Sequence, residues 1–214
     1  MNKITIKTNI QSIELANNFS FQICTPNLLT IQKEYEFRKQ NNENTIFPFW
    51  AKVWDASIVM AKFLISNPNW IHQKKVIELA AGLGLPSLVA AKFAQSVICS
   101  DYVSDPFFYV EKSIHLHQIQ NVCTQIIDCT NVPKELEGEV ILMSDIQYSP
   151  FMFDGILKTI HHFLMKGAII IITTPQRIMT KEFALSISDY IVFTEVHFLS
   201  TTEHDIQLWI LQNH

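Results

Sequence analysis

No uninterrupted apolar run of about 18 residues occurs in this chain, so no helical membrane span is expected. The opening MNKITIKTNI alternates apolar and polar positions and lacks the continuous apolar core of a signal peptide. The four cysteines (Cys24, Cys99, Cys123 and Cys129) form no CxxC pair, and no histidine stands at metal-ligand spacing from them. Reduced, mostly buried thiols in a cytoplasmic protein are therefore expected, with no metal. Lysine and arginine form no block, and the net charge is −4. A protein that grips a nucleic-acid backbone normally shows a basic stripe, so this absence argues against a nucleic-acid partner. The eight histidines are scattered, which fits surface or interface positions better than a metal site. No internal repeat or low-complexity segment is present.

What is present is apolar material in quantity. Hydrophobic residues make up 48% and charged residues 17% of the 214 positions, enough to bury a large core in one domain. Residues 4–8 and 19–24 read as two short strands joined by a polar loop, and 27–38 as a helix or an irregular linker. The polar patch 40–45 (QNNENT) is a candidate mobile loop over an active site. These pieces form an N-terminal extension, 1–45, ahead of a main domain, 46–214. From residue 55 onward helices and strands alternate. Helices are expected at 55–65, 86–93, 105–117, 151–163 and 180–188, and strands at 75–79, 96–100, 123–128, 139–144 and 168–173. The continuously apolar runs Val140-Ile141-Leu142-Met143 and Ile169-Ile170-Ile171-Ile172 suit central parallel strands covered on both faces. The last two runs, 192–199 and 205–211, are joined by too few residues for a helical crossover, so they must be antiparallel. The expected fold is α/β: a Rossmann-like, doubly wound seven-stranded sheet, mostly parallel, with a C-terminal antiparallel hairpin and a short N-terminal β extension.

The most informative stretch is Val76-Ile77-Glu78-Leu79-Ala80-Ala81-Gly82-Leu83-Gly84-Leu85-Pro86. It reads as a strand, a tight glycine turn and a helix start, the local architecture of a nucleotide pocket. The next strand ends in Asp101, placed to accept both hydroxyls of a ribose. Ala80 stands where a dinucleotide fingerprint has its first glycine, and the third glycine is missing as well. Glu78 would also face a pyrophosphate at close range. A ligand with a ribose and a positive charge but no phosphate, S-adenosylmethionine, fits better. Four strand ends carry an acid: Glu78, Asp101, Asp128 and Asp145. Glu78 is expected to bias the site toward the ligand's ammonium and sulfonium charge. Asp128 could accept the adenine amino group, with Cys129 or Thr130 supplying a backbone N–H. Asp145 stands beside the place where the methyl group would leave. Ala80, Tyr102 and Ser144, within two residues of these acids in sequence, complete the candidate cofactor set.

Val53-Trp54-Asp55-Ala56, the glycine stretch, and Ser144-Asp145-Ile146-Gln147-Tyr148 together resemble the seven-strand protein lysine methyltransferases related to the methyltransferase-like group. In that family a tryptophan-containing helix precedes the glycine motif and a D-x-x-Y sequence follows the fourth strand. Asp145 and Tyr148 match the latter in spacing. The resemblance implies that Trp54 contacts the cofactor from the lid side, that Gly82 and Gly84 line its methionine part, and that Asp101 binds the ribose. It implies that Asp145 and Tyr148 shape the acceptor channel as the catalytic pair. Where the family often carries a tryptophan near the adenine, this chain has Cys129-Thr130-Asn131-Val132. The function expected is S-adenosylmethionine-dependent N-methylation of a protein lysine, with S-adenosylhomocysteine as product. The protein is expected to be a monomer or weak homodimer. The rivals are a small-amine N-methyltransferase, a nicotinamide-dependent oxidoreductase and a non-catalytic cofactor-binding module. Methylation of nucleic acid finds no Asn-Pro-Pro-Tyr-type sequence after the fourth strand.

Overall fold

The structure, a computed structural model, describes residues 8–16, 19–41, 43, 45–146, 150–176, 178–198 and 204–213. Two strands, β1 (Thr8–Ala16) and β2 (Phe19–Pro26), form an antiparallel hairpin of their own. The first strand thus occupies most of the stretch expected to be a polar loop, while residues 4–7 lie outside the described ones. The signal was present in Ile13-Glu14-Leu15, where burial alternates with exposure as a half-covered strand requires. Helix α1 (Leu28–Gln40) follows, its first turn closed by Asn27, whose Oδ1 accepts the Thr30 N–H at 3.1 Å. None of its residues is buried.

The main sheet has seven strands: β3 (Lys75–Leu79), β4 (Ser96–Asp101), β5 (Val122–Ile126), β6 (Val140–Ser144), β7 (Ile169–Pro175), β8 (Ile191–His197) and β9 (Ile206–Leu211). Their order is β5-β4-β3-β6-β7-β9-β8. The first five are parallel, and the β8–β9 hairpin joins β7 antiparallel. The intervening helices are α2 (Asp55–Ser66), α3 (Leu85–Ala90), α4 (Phe107–Leu116), α5 (Phe153–Met165) and α6 (Ile178–Ile187).

Both faces of the sheet are covered, and alternate side chains go to different cores. Val76, Val140, Leu142, Ile171 and Leu208 pack toward α2 and α3, together with Phe21 and Ile23 of the N-terminal hairpin. Ile77, Ile141, Met143, Ile170 and Ile172 pack toward α5 and α6. This is why β6 and β7 read as unbroken apolar runs. The hairpin is tied to α4 where the Cys24 N–H donates to Ser113 Oγ at 2.8 Å and where His117 stacks on Phe21 at 4.1 Å between ring centroids. The strand order reverses between β3 and β6, with β4 on one side and β6 on the other. Open α/β sheets place their ligand crevice at such a switch point, at the carboxyl ends of the strands.

Candidate active site

The carboxyl ends of β3, β4 and β6 open into a cavity of about 750 Å³. Its floor is the turn after β3, whose backbone is left-handed at Ala80 (φ 52°), Gly82 (φ 53°) and Gly84 (φ 68°). Two contacts make the glycines necessary. A Cβ on Gly82 would meet the Trp50 carbonyl at 3.3 Å, because the 49–54 segment crosses directly over the turn. A Cβ on Gly84 would meet Cys99 Sγ at 2.7 Å, because α3 sits close against β4. The turn is pinned to β4 by the Ala81 N–H, which donates to the Ser100 carbonyl at 2.8 Å. The Gly82 N–H donates to Asp101 Oδ2 at 2.9 Å.

Asp101 lies on the cavity wall at 9% exposure. Burial raises its carboxyl above the usual range, and the N–H groups of Gly82, Val103 and Tyr102 pull the other way. Tyr102, beside it, is exposed and lines the mouth. On the next strand tip Asp128 Oδ1 accepts the Thr130 N–H at 2.8 Å and its hydroxyl at 2.7 Å. The Thr130 N–H is therefore engaged within its own loop. Cys129 is buried on the cavity wall, and burial, with Asp128 and Asp101 nearby, pushes its thiol up to about 12. At the end of β6, Ser144 and Asp145 reach the cavity from the opposite side. Asp145 adopts a left-handed φ of 52°, a strained position for a residue with a side chain, and its N–H is held by the Thr173 carbonyl at 2.8 Å. Trp54 closes the cavity from above, its Nε1–H donating to the Phe49 carbonyl at 2.9 Å. Tyr148, the second residue of the expected catalytic pair, lies outside the described residues, as do positions 42 and 44 of the expected loop.

Glu78 corrects the sequence reading. It was expected to face the ligand, but it does not line the cavity and is 1% exposed. The alternation of side chains along β3 sends it to the same face as Val76, beneath α3. There its Oε2 accepts the Ser87 N–H at 2.8 Å and the Ser87 hydroxyl at 2.5 Å. The consequence is chemical. Pro86 has no N–H and the Ser87 N–H is taken by a carboxyl, so the start of α3 offers little to a phosphate. The wall that remains, a buried carboxyl at the tip of β4 beside a glycine turn, suits a ribose-bearing ligand without a pyrophosphate. Among the described residues no group of three or more His, Cys, Asp or Glu could hold a metal.

The lip of the cavity holds residues that the sequence reading passed over. Phe47, Phe49 and Lys52 line it from the segment before α2. The run Phe47-Pro48-Phe49-Trp50, three aromatics in four residues, was the available signal.

Comparison with known proteins agrees with this geometry. A family model described as lysine methyltransferase matches residues 36–190. Protein N-lysine methyltransferase METTL21A of Danio rerio is 27% identical over 193 residues, covering 83% of this chain and 87% of that protein. Histone-arginine methyltransferase METTL23 of Mus musculus is 27% identical over 121 residues, covering 54% of this chain and 48% of that protein. The chain thus spans about half the length of the mouse relative. Among solved structures, the tRNA (uracil-54, C5)-methyltransferase of Pyrococcus abyssi, in complex with S-adenosyl-L-homocysteine, superposes with a TM-score of 0.59 at 10% identity. That match covers 94% of this chain and 44% of the other, and at such identity it speaks for the fold alone. The fold is the Rossmann-like fold of methyltransferases, and with the family model matched across more than half of its length the chain belongs to the lysine methyltransferase family.

Proposed function

We propose that the protein is an S-adenosylmethionine-dependent N-methyltransferase whose acceptor is a lysine side chain of another protein. The observation that carries this reading is the pairing of Asp101 on the cavity wall with Glu78 under α3. One offers a ribose acceptor, and the other takes up the Ser87 N–H that a phosphate would use. The lysine assignment draws on the family description and on the zebrafish relative, matched over most of both lengths. The four cysteines are unpaired, which supports a reducing, cytoplasmic setting.

When bound, S-adenosylmethionine supplies a methyl group already activated on a sulfonium, so little acid–base power is asked of the protein. Asp101 would hold the ribose hydroxyls. Ala80, Gly82 and Gly84 would present backbone to the methionine part, and Asp128 and Cys129 would flank the adenine. Tyr102 and Trp54 would cover the ligand from the mouth, with Ser144 below. Asp145 would accept an N–H of the incoming amine and aim its lone pair, and Tyr148 would narrow the channel. An ammonium has no lone pair, so the amine must arrive neutral. The apolar wall formed by Phe49, Trp54, Ile146 and Met152 disfavours the charged form.

The test is transfer of labelled methyl from S-adenosylmethionine into a protein extract, followed by hydrolysis and separation of the methylated amino acids. Label in methyl-lysine is the expected outcome. Label in methyl-arginine would move the acceptor to the chemistry named for the mouse relative, and label only in small metabolites would overturn a protein acceptor.

A further inference from the structure

A second cavity, of about 440 Å³, opens beside the first, and Lys52 and Val53 line both. It lies where the body-facing side of the N-terminal hairpin turns from apolar to polar. Ile13 and Leu15 of β1 and Phe21 and Ile23 of β2 are buried on that side. Successive side chains of a strand alternate between faces, so Gln11 and Asn9 share the face of Ile13, and Thr25 shares that of Ile23. Asn9, Gln11 and Thr25 face the cavity and line it. Thr25 is 8% exposed, yet its hydroxyl has no hydrogen-bond partner among the described residues. Buried polar groups are bonded as a rule, and a valine would fill the same space without an unmet donor.

The start of α1 lines the same cavity. Asn27 caps the Thr30 N–H, and the Ile31 N–H reaches the Asn27 carbonyl, but the N–H groups of Leu28 and Leu29 have no acceptor among the described residues. Free N–H groups at a helix start, with the positive end of the helix dipole, favour an anion. Among the described residues Lys52 is the one charged side chain on the cavity wall. Its Nζ lies 4.7 Å from the Trp54 ring centroid and has no carboxylate partner there. The surrounding charges point the same way. Asp101, Asp128 and Asp145 line the first cavity and not the second, so an anion drawn by Lys52 is turned away from the first and toward the second. Glu14, Glu34 and Asp55, the carboxylates close to its segments in the chain, line neither. Lys112 Nζ donates to Thr8 Oγ1 at 2.8 Å, and Thr8 pairs with Pro26 of the cavity wall, so a second cation stands at this end of the hairpin.

We propose that the second cavity is a binding site for an oxyanion, a carboxylate or a phosphate group, held by Lys52, the Thr25 hydroxyl and the N–H groups of Leu28 and Leu29. The Asn9 and Gln11 amides complete its wall. The volume exceeds that of a bare ion, so the site admits the group free or borne on a side chain of a docked protein. The site does not rest on the methyltransferase reading.

Thermal unfolding without cofactor, at an ionic strength held constant with sodium chloride, tests the proposal. Potassium phosphate and sodium acetate supply the free oxyanion. An octapeptide with a single glutamate, compared with its glutamine counterpart, supplies a carboxylate borne on a chain. At about tenfold its Kd, the oxyanion should raise the wild-type midpoint by at least about 2 °C. Thr25→Val should be at least as stable as the wild type without anion and should lose most of that rise. Lys52→Ala, at an exposed position, should lose it too, and it serves alone if Thr25→Val does not fold. A rise with phosphate or acetate assigns the site to a free ion, and a rise with the glutamate peptide alone assigns it to an acid on a docked chain; either supports the site. An equal rise in the wild type and both variants is exclusion of the salt from the protein surface, and it overturns the proposal. No rise with phosphate, acetate or the glutamate peptide overturns it as well, as does a rise that the glutamine peptide reproduces and the free ions do not.

Discussion

Removing the proton-binding capacity of Glu78 should abolish an unusual pH dependence of stability. The carboxyl is 1% exposed, and burial raises its pKa from 4.5 to about 8; the two bonds from Ser87 oppose that rise and the Asp101 charge adds to it. In the unfolded chain the same group titrates near 4.5. Between those values the folded protein keeps a proton that the unfolded chain has released. The contribution is therefore fully present below the unfolded value, declines as pH rises and is gone above the folded value, the reverse of ordinary acid denaturation. The slope approaches about 1.4 kcal/mol per pH unit for one proton, so from about pH 5.5 to about pH 7.5 the decline is about 2–3 kcal/mol. Urea unfolding at the two pH values measures it. Glu78→Gln supplies the comparison, because the amide resembles the neutral acid and Ser87 can turn its hydroxyl to suit either. The difference between the two proteins isolates Glu78 from every group that the substitution leaves in place. The excess of Glu78→Gln over the wild type should grow by that about 2–3 kcal/mol from the acidic to the neutral end. Parallel curves for the two proteins would refute the reasoning, since they would mean that Glu78 is charged in the folded protein.

Further outcomes follow from the same contacts. Gly84→Ala forces a side chain onto a φ of 68° and places its Cβ 2.7 Å from Cys99 Sγ, so it should destabilise by about 2–4 kcal/mol in urea unfolding. Cys99→Ala should return the steric part and leave the backbone part, and strictly additive single and double variants would contradict the clash. Gly155→Ala places a Cβ 2.5 Å from Thr130 Cβ and must push the loop that carries Asp128 and Cys129. It should weaken S-adenosylhomocysteine binding at least about tenfold, and unchanged affinity by calorimetry would separate that loop from the ligand. Asp101→Ala should lose cofactor binding, whereas Asp145→Ala should keep it and lose methyl transfer. Equal loss of binding in both would end that division of labour.

The alternation of apolar runs and turn signals made the main sheet legible, because β6 and β7 are buried on both faces and therefore apolar without interruption. The closing hairpin was legible for a different reason: too few residues lie between the last two runs for a crossover. Boundaries were less so. Residues 86–93 read as one helix, yet α3 ends at Ala90 and turns follow it. In the site, Asp101, Asp128 and Asp145 reach the cavity as strand ends should. Glu78 does not, although the parity of β3 places it with Val76, because which face α3 would cover depends on the tertiary structure. The approach of Tyr35, Phe47, Phe49 and Trp54 to one another was not legible from periodicity, because the rings come from α1, from the segment before α2 and from the residue that precedes α2.

The central claim is a ribose-binding, phosphate-free cofactor site, and calorimetric titration with S-adenosylhomocysteine against NAD tests it most directly. Micromolar binding of S-adenosylhomocysteine with none of NAD is the predicted result. Binding of NAD, or of neither ligand, would contradict it.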